Sequence, residues 1–140
     1  MEKTDVVALL KNGESVQIHP LGSSMIPFIY PGRDEVVISP LNKELRKYDI
    51  ILFRSQETGV LTLHRIVDIK EQTYYACGDN QYYLEPVRKD QILGVVTEII
   101  RNGKRINTDD TVYRSLAQLY INNKHLINTL RKLRIRSFCV

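Results

Sequence analysis

Residues Val60–Ile69 read VLTLHRIVDI, and their alternation decides the fold class. Leucine and β-branched residues dominate, and a two-residue period puts Leu61, Leu63, Arg65 and Val67 on one face and Thr62, His64, Ile66 and Asp68 on the other. Such a run predicts a long β-strand. Upstream of it, Asp49–Arg54 (DIILFR) reads as a buried strand and Glu35–Ser39 (EVVIS) as another. Ser15–His19 (SVQIH) alternates until Pro20 and Gly22 break it. Downstream, Thr73–Ala76 and Ile92–Arg101 (ILGVVTEIIR) follow, the last ending at Asn102-Gly103, a hairpin-type signal. A short helix is predicted over Asp5–Lys11, where Val6, Leu9 and Leu10 share a face and Asn12-Gly13 stops the chain. Ser24–Tyr30 is a short apolar segment closed by Pro31-Gly32.

The period changes from Asp110 onward. Val112, Leu116, Leu119, Leu126, Leu130 and Leu133 recur every three or four residues, with Asn123 filling the gap. Asp109, Asp110 and Thr111 stand where an N-cap and favourable negative charge belong, and Arg131–Arg136 where cations suit a helix C-terminus. The fold class expected is therefore mainly β, a β-rich domain over residues 1–108 with a short N-terminal helix. A basic amphipathic tail over 109–140 follows, its helix about 20–25 residues long.

Charge divides along the same boundary. Residues 1–110 hold all 16 acidic and 14 of the 20 basic residues, whereas 111–140 hold six basic residues and no acid. A basic tail on a near-neutral body suggests an acidic partner or surface. Three readings stand open: a structural helix packing its leucine stripe on the body, a helix lying on an anionic membrane, and a helix docking a protein partner or mediating oligomerisation. Nucleic acid is not expected, because the basic residues lack interleaved aromatics beyond Phe138. The two cysteines, Cys77 and Cys139, make no disulfide framework. The N-terminus lacks the apolar core of a secretory signal and no run of about 18 apolar residues occurs, so a cytoplasmic protein is expected, membrane-peripheral if the tail meets a bilayer. No cofactor and no metal is expected.

Three stretches carry the chemistry: Leu21-Gly-Ser-Ser-Met-Ile-Pro27, Leu63-His-Arg-Ile-Val67 and Gly78-Asp-Asn80. Each alone spells a turn or an ordinary strand. Taken in order they resemble the S24/S26 peptidase clan, the type I signal peptidases and LexA-like self-cleaving proteins. Ser24-Met25-Ile26-Pro27 matches that clan's Ser-Met-x-Pro nucleophile motif. Tyr48-Asp49-Ile50-Ile51 is similar to its Gly-Asp-Val-Val strand with tyrosine for glycine, and His64-Arg65-Ile66-Val67 and Gly78-Asp79-Asn80 match its base strand and closing turn. The resemblance covers roughly residues 18 to 100 and is to the histidine branch rather than the lysine branch.

The resemblance implies a serine endopeptidase acting on a peptide or small-protein substrate, with Ser24 as nucleophile and His64 as general base. A serine hydroxyl needs such a base, and histidine titrates near neutrality with little adjustment. Asp79 is expected to orient the imidazole, as the acid of a serine triad does, with Glu85 as the alternative acid. Gly22, Ser23, Met25 and Pro27 surround the nucleophile as oxyanion and substrate-binding positions. His19, five residues before Ser24, is a rival base. The branch's further aspartates after Gly-Asp-Asn are replaced here by Gln81-Tyr82-Tyr83-Leu84-Glu85, and its membrane anchors are missing. Two other functions remain: a non-catalytic peptide- or protein-binding module keeping the peptidase fold, and a self-cleaving regulator, for which only about 20 residues precede Ser24.

Overall fold

A computed structural model describes residues 3–138, with side chains described from 5 to 124. The long strand predicted from VLTLHRIVDI is β4, Leu61–Lys70, and it lies inside a single antiparallel sheet of eight strands. The others are β1 (Val16–Ile18), β2 (Asp34–Ser39), β3 (Ile50–Arg54), β5 (Thr73–Cys77), β6 (Glu85–Arg88), β7 (Ile92–Arg101) and β8 (Lys104–Asn107). They run in the spatial order β1-β2-β7-β3-β4-β5-β6, with β8 pairing β7. Helices α1 (Lys3–Lys11) and α2 (Thr111–Phe138) complete a mainly β protein.

The two ten-residue strands, β4 and β7, are each shared between neighbours along their length. β4 pairs β3 over Leu61–Arg65 and β5 over Arg65–Lys70, so the strand changes partner at Arg65. Among the described residues, Leu61 to His64 therefore have a strand neighbour on one side only. A register shift between Ile66 and Asp68 ends the strict alternation, because a bulge residue moves everything after it to the other face.

Each face of the sheet has its own core. One gathers Val6 and Leu10 of α1, Met25 and Ile29, Val36, Ile38, Leu52, Ile99 and Tyr113 of α2, with Leu61 and Leu63 packed against them. The other holds Ile51, Phe53, Ile66, Ala76, Val87 and Val95. Gly94 lets β7 approach β2, since a Cβ there would lie 2.8 Å from the Ser39 carbonyl oxygen. The Ser24–Ile29 segment is held at its far end by Asp34. Its buried carboxylate accepts bonds from Arg33, Arg101 and the Tyr30 N–H. Burial alone would raise the Asp34 pKa, but these donors hold it at about 2.

Helix α2 starts as its capping residues require, with the Tyr113 N–H donating to the Asp110 carboxylate at 3.1 Å. It is longer than the sequence predicts, 28 residues. It also packs with a different face. Tyr113, Ala117, Tyr120 and Lys124 are the residues buried against the body, whereas Val112, Leu116 and Leu119 stand more than half exposed. The first half of the leucine stripe thus does not pack on the sheet. The aromatic face wins because Phe28 receives the edges of Tyr113 and Tyr120, at 5.8 and 5.6 Å, and Arg114 bonds the Asp49 carboxylate at 2.8 Å. The side chains of Leu126, Leu130, Leu133, the basic residues 131–136, Phe138 and Cys139 lie outside the described residues. No described helix is long and apolar enough to cross a membrane.

Candidate active site

The three motif stretches meet at one corner of the sheet. Ser24 sits in the turn that follows β1, and its carbonyl accepts the Asn80 N–H at 3.1 Å while the Ser23 carbonyl accepts the Asn80 side-chain amide at 2.8 Å. Gly78 is required by this approach, because a Cβ there would come within 2.8 Å of the Ser24 carbonyl oxygen. The same turn follows directly from Cys77, which pairs with Arg65 in the β4–β5 ladder, and His64 is the residue before Arg65 on β4.

Arg65 explains how this corner is built. Its guanidinium is fully buried and grips Asp79 through two bonds of 2.8 Å, from Nε to Oδ1 and from Nη2 to Oδ2. Nη1 donates to the Tyr48 carbonyl at 2.9 Å and Nη2 to the Tyr113 hydroxyl at 3.1 Å, with Phe28 and Tyr113 rings stacked near it. A charge taken fully out of water is tolerated only with pairing of this quality. Tyr48 adopts φ 77°, the conformation glycine supplies freely. Its carbonyl is thereby turned toward Arg65.

His64 is half-buried on the opposite face of β4, among Ile51, Phe53 and Ile66, with its ring 6.0 Å from that of Phe53. Its Nδ1 is buried and makes no hydrogen bond. Burial lowers the imidazole pKa below its ordinary 6.5, the Asp79 charge opposes that, and Lys124 reinforces it. The orienting hydrogen bond expected from the imidazole N–H to Asp79 is absent, and both Asp79 oxygens accept from Arg65 instead. Asp79 reaches His64 as a charge only. Glu85, the alternative acid, accepts the Ser55 hydroxyl at 2.7 Å instead.

Ser24 lines a groove of about 400 Å³ with Met25, Ile29, Leu52, Leu61 and Leu63, a mostly apolar surface running beside the unpaired half of β4. Gly22 and His19 line it too, whereas Ser23 bonds Asn80 and Pro27 lies further along the turn. His19, the rival base, is largely exposed and pairs with Glu35 at 3.5 Å. Among the described residues no hydrogen bond joins the Ser24 hydroxyl to either histidine. The sequence offered no signal for Arg65 as the organiser of the corner, nor for Tyr113 and Lys124, which reach it from α2. No protein-family model matches this chain, and no curated protein is similar to it at a significant level.

Proposed function

We propose that the protein is a serine endopeptidase of the signal-peptidase type, cutting a peptide or small-protein substrate with Ser24 as nucleophile and His64 as general base. The observation that supports this reading is the Gly78–Asn80 turn, which hydrogen-bonds the Ser23 and Ser24 carbonyls and follows the strand paired with Arg65, the chain neighbour of His64. The unpaired edge of Leu61–His64, beside the apolar groove that contains Ser24, suits an extended peptide added as one more strand. In the reaction, the Ser24 oxygen attacks the scissile carbonyl carbon while its proton passes to the imidazole. The resulting oxyanion is held by main-chain N–H groups of the Gly22–Ser24 loop, the proton moves to the departing amine, and the C–N bond breaks. Water, deprotonated by the same imidazole, then releases the acyl group from Ser24.

One observation favours a second reading, a peptide-binding module that keeps the fold: the Ser24 hydroxyl and His64 share no hydrogen bond. Incubating wild type, Ser24→Ala, His64→Ala and His19→Ala with a peptide library, with products read by mass spectrometry, separates the possibilities. Cleavage lost in the first two variants and kept in His19→Ala supports the proposal. Equal cleavage by all four chains refutes it, as does binding without cleavage by the wild type, and loss in His19→Ala alone transfers the base to His19.

A further inference from the structure

We propose that α2 is a membrane-surface element, which lays its uncovered leucine face on a bilayer of anionic lipid. Neither Ser24, His64 nor the Gly78–Asn80 turn takes part, so the proposal holds or fails separately from the peptidase reading. Tyr113, Ala117, Tyr120 and Lys124 are the residues α2 buries against the body. Val112, Leu116 and Leu119 lie about 100° round the helix from that face. They are 66%, 54% and 61% exposed, so the body leaves more than half of each in water.

The apolar spacing that begins with these residues is long. In sequence it continues through Asn123 to Leu126, Leu130 and Leu133, all within the helix Thr111–Phe138. From Val112 to Leu133 the helix axis runs about 30 Å. Asn123, the polar residue in the series, turns its side-chain amide back to the Leu119 carbonyl at 2.8 Å. Part of its hydrogen-bonding demand is thereby met inside the helix. A row of aliphatic side chains held in water costs free energy, and a surface that covers the row recovers it.

Charge selects the surface. Residues 111–140 carry six basic side chains and no acidic one. Arg114 is committed to Asp49 and Lys124 to the Gln81 carbonyl, and the other four stand together in sequence at 131–136. A second copy of the chain is a poor occupant. Two such helices packed leucine to leucine would bring like charges together, with no acid on either to form an interhelical pair. A protein groove that takes a helix reads anchors over about two turns, whereas a headgroup layer meets a line of any length. Leucines along one side and a basic cluster without acids are the pattern of a helix lying in the plane of an anionic interface. No described helix is apolar enough to cross the bilayer instead.

The test floats the full-length protein with vesicles of mixed phosphatidylglycerol and phosphatidylcholine, and with vesicles of phosphatidylcholine alone, over a range of salt. Wild type is expected to bind the anionic vesicles at least about tenfold more tightly than the neutral ones, and less tightly as salt rises. Leu116→Gln with Leu119→Gln removes apolar area from the exposed face. It should weaken binding at least about tenfold and leave the melting temperature in place, since both side chains are mostly in water. Arg131→Gln with Arg134→Gln should weaken binding about tenfold at low salt and flatten the salt dependence. Wild type that does not float, that floats equally with neutral vesicles, or that binds as well without the two leucines or without the two arginines overturns the proposal. So does a dimer in sedimentation equilibrium that the leucine pair dissociates while wild type ignores the vesicles, a result that gives the face to a second copy. If the double leucine variant does not fold, Leu119→Gln alone, expected to weaken binding about threefold, decides the same point.

Discussion

His64 and Arg65 are neighbours in the chain and occupy opposite faces of β4, and the protein treats those faces in opposite ways. On the Arg65 side each guanidinium nitrogen has an acceptor and the side chain has no access to water. On the His64 side the ring is half-buried, one nitrogen has no partner, and charges act on it without touching it. A saturated ion pair is rigid and chemically inert, whereas an imidazole with uncommitted nitrogen is destabilised slightly and available to take a proton. The two faces thus differ in kind: Arg65 and Asp79 build the corner, and His64 on the other face keeps an uncommitted ring nitrogen.

Removing the builder puts this division under the greatest strain. Arg65→Met leaves the Asp79 carboxylate buried and unpaired, and urea denaturation should show a loss of about 3–5 kcal/mol, with cleavage lost alongside. A stability change below about 1 kcal/mol would mean that the corner is held by packing instead. Next come Ser24→Ala and His64→Ala, each expected to lower cleavage at least about a thousandfold while the denaturation midpoint moves little. If either unfolds the protein as Arg65→Met does, the division fails. A smaller effect is in the pH profile. Since the His64 pKa lies below 6.5 and the neutral ring is the active form, cleavage should persist below pH 6.5 and fall about tenfold per unit once pH drops beneath the imidazole pKa. Asp79→Asn removes the one charge that raises that pKa, so any folded fraction should show the acid limb moved further down. The smallest expected effect is Tyr48→Gly. It relieves a left-handed residue of about 1 kcal/mol while keeping the carbonyl that Arg65 uses, so the midpoint should rise or hold and cleavage should be unchanged.

Much of the fold is legible in the linear chain. The six strands read from alternation correspond to β1, β2, β3, β4, β5 and β7, because side-chain period is a local property of extended backbone. β6 and β8 leave too little pattern to read: EPVR and KRIN are four residues each, and one carries a proline that edge pairing tolerates. Ser24 and Asp79 stand out as motif residues, and the turn that carries Asp79 hydrogen-bonds the Ser24 backbone, while His64 lines no groove with Ser24. Asp79 meets Arg65 rather than the expected His64. Both precede it on the same strand, and only the face each side chain takes tells which one reaches the turn.

Helix α2 shows the limit most plainly. Spacing alone identifies a helix, its cap and an apolar stripe, but two stripes run along it, one of leucines and one of Tyr113, Ala117, Tyr120 and Lys124. Hydrophobicity favours the leucines. The body favours the other face because Phe28, Arg65 and Asp49 stand there with an aromatic ring, a guanidinium N–H and a carboxylate. Periods, caps and the residue types that chemistry requires are written in the chain, since all of them depend on neighbours a few positions away. Folding was needed to establish that Arg65 takes Asp79, that half of β4 has a strand neighbour on one side only among the described residues, and that a lysine from the last helix reaches the Gln81 carbonyl. Those outcomes depend on distances between segments dozens of residues apart, which no local pattern encodes.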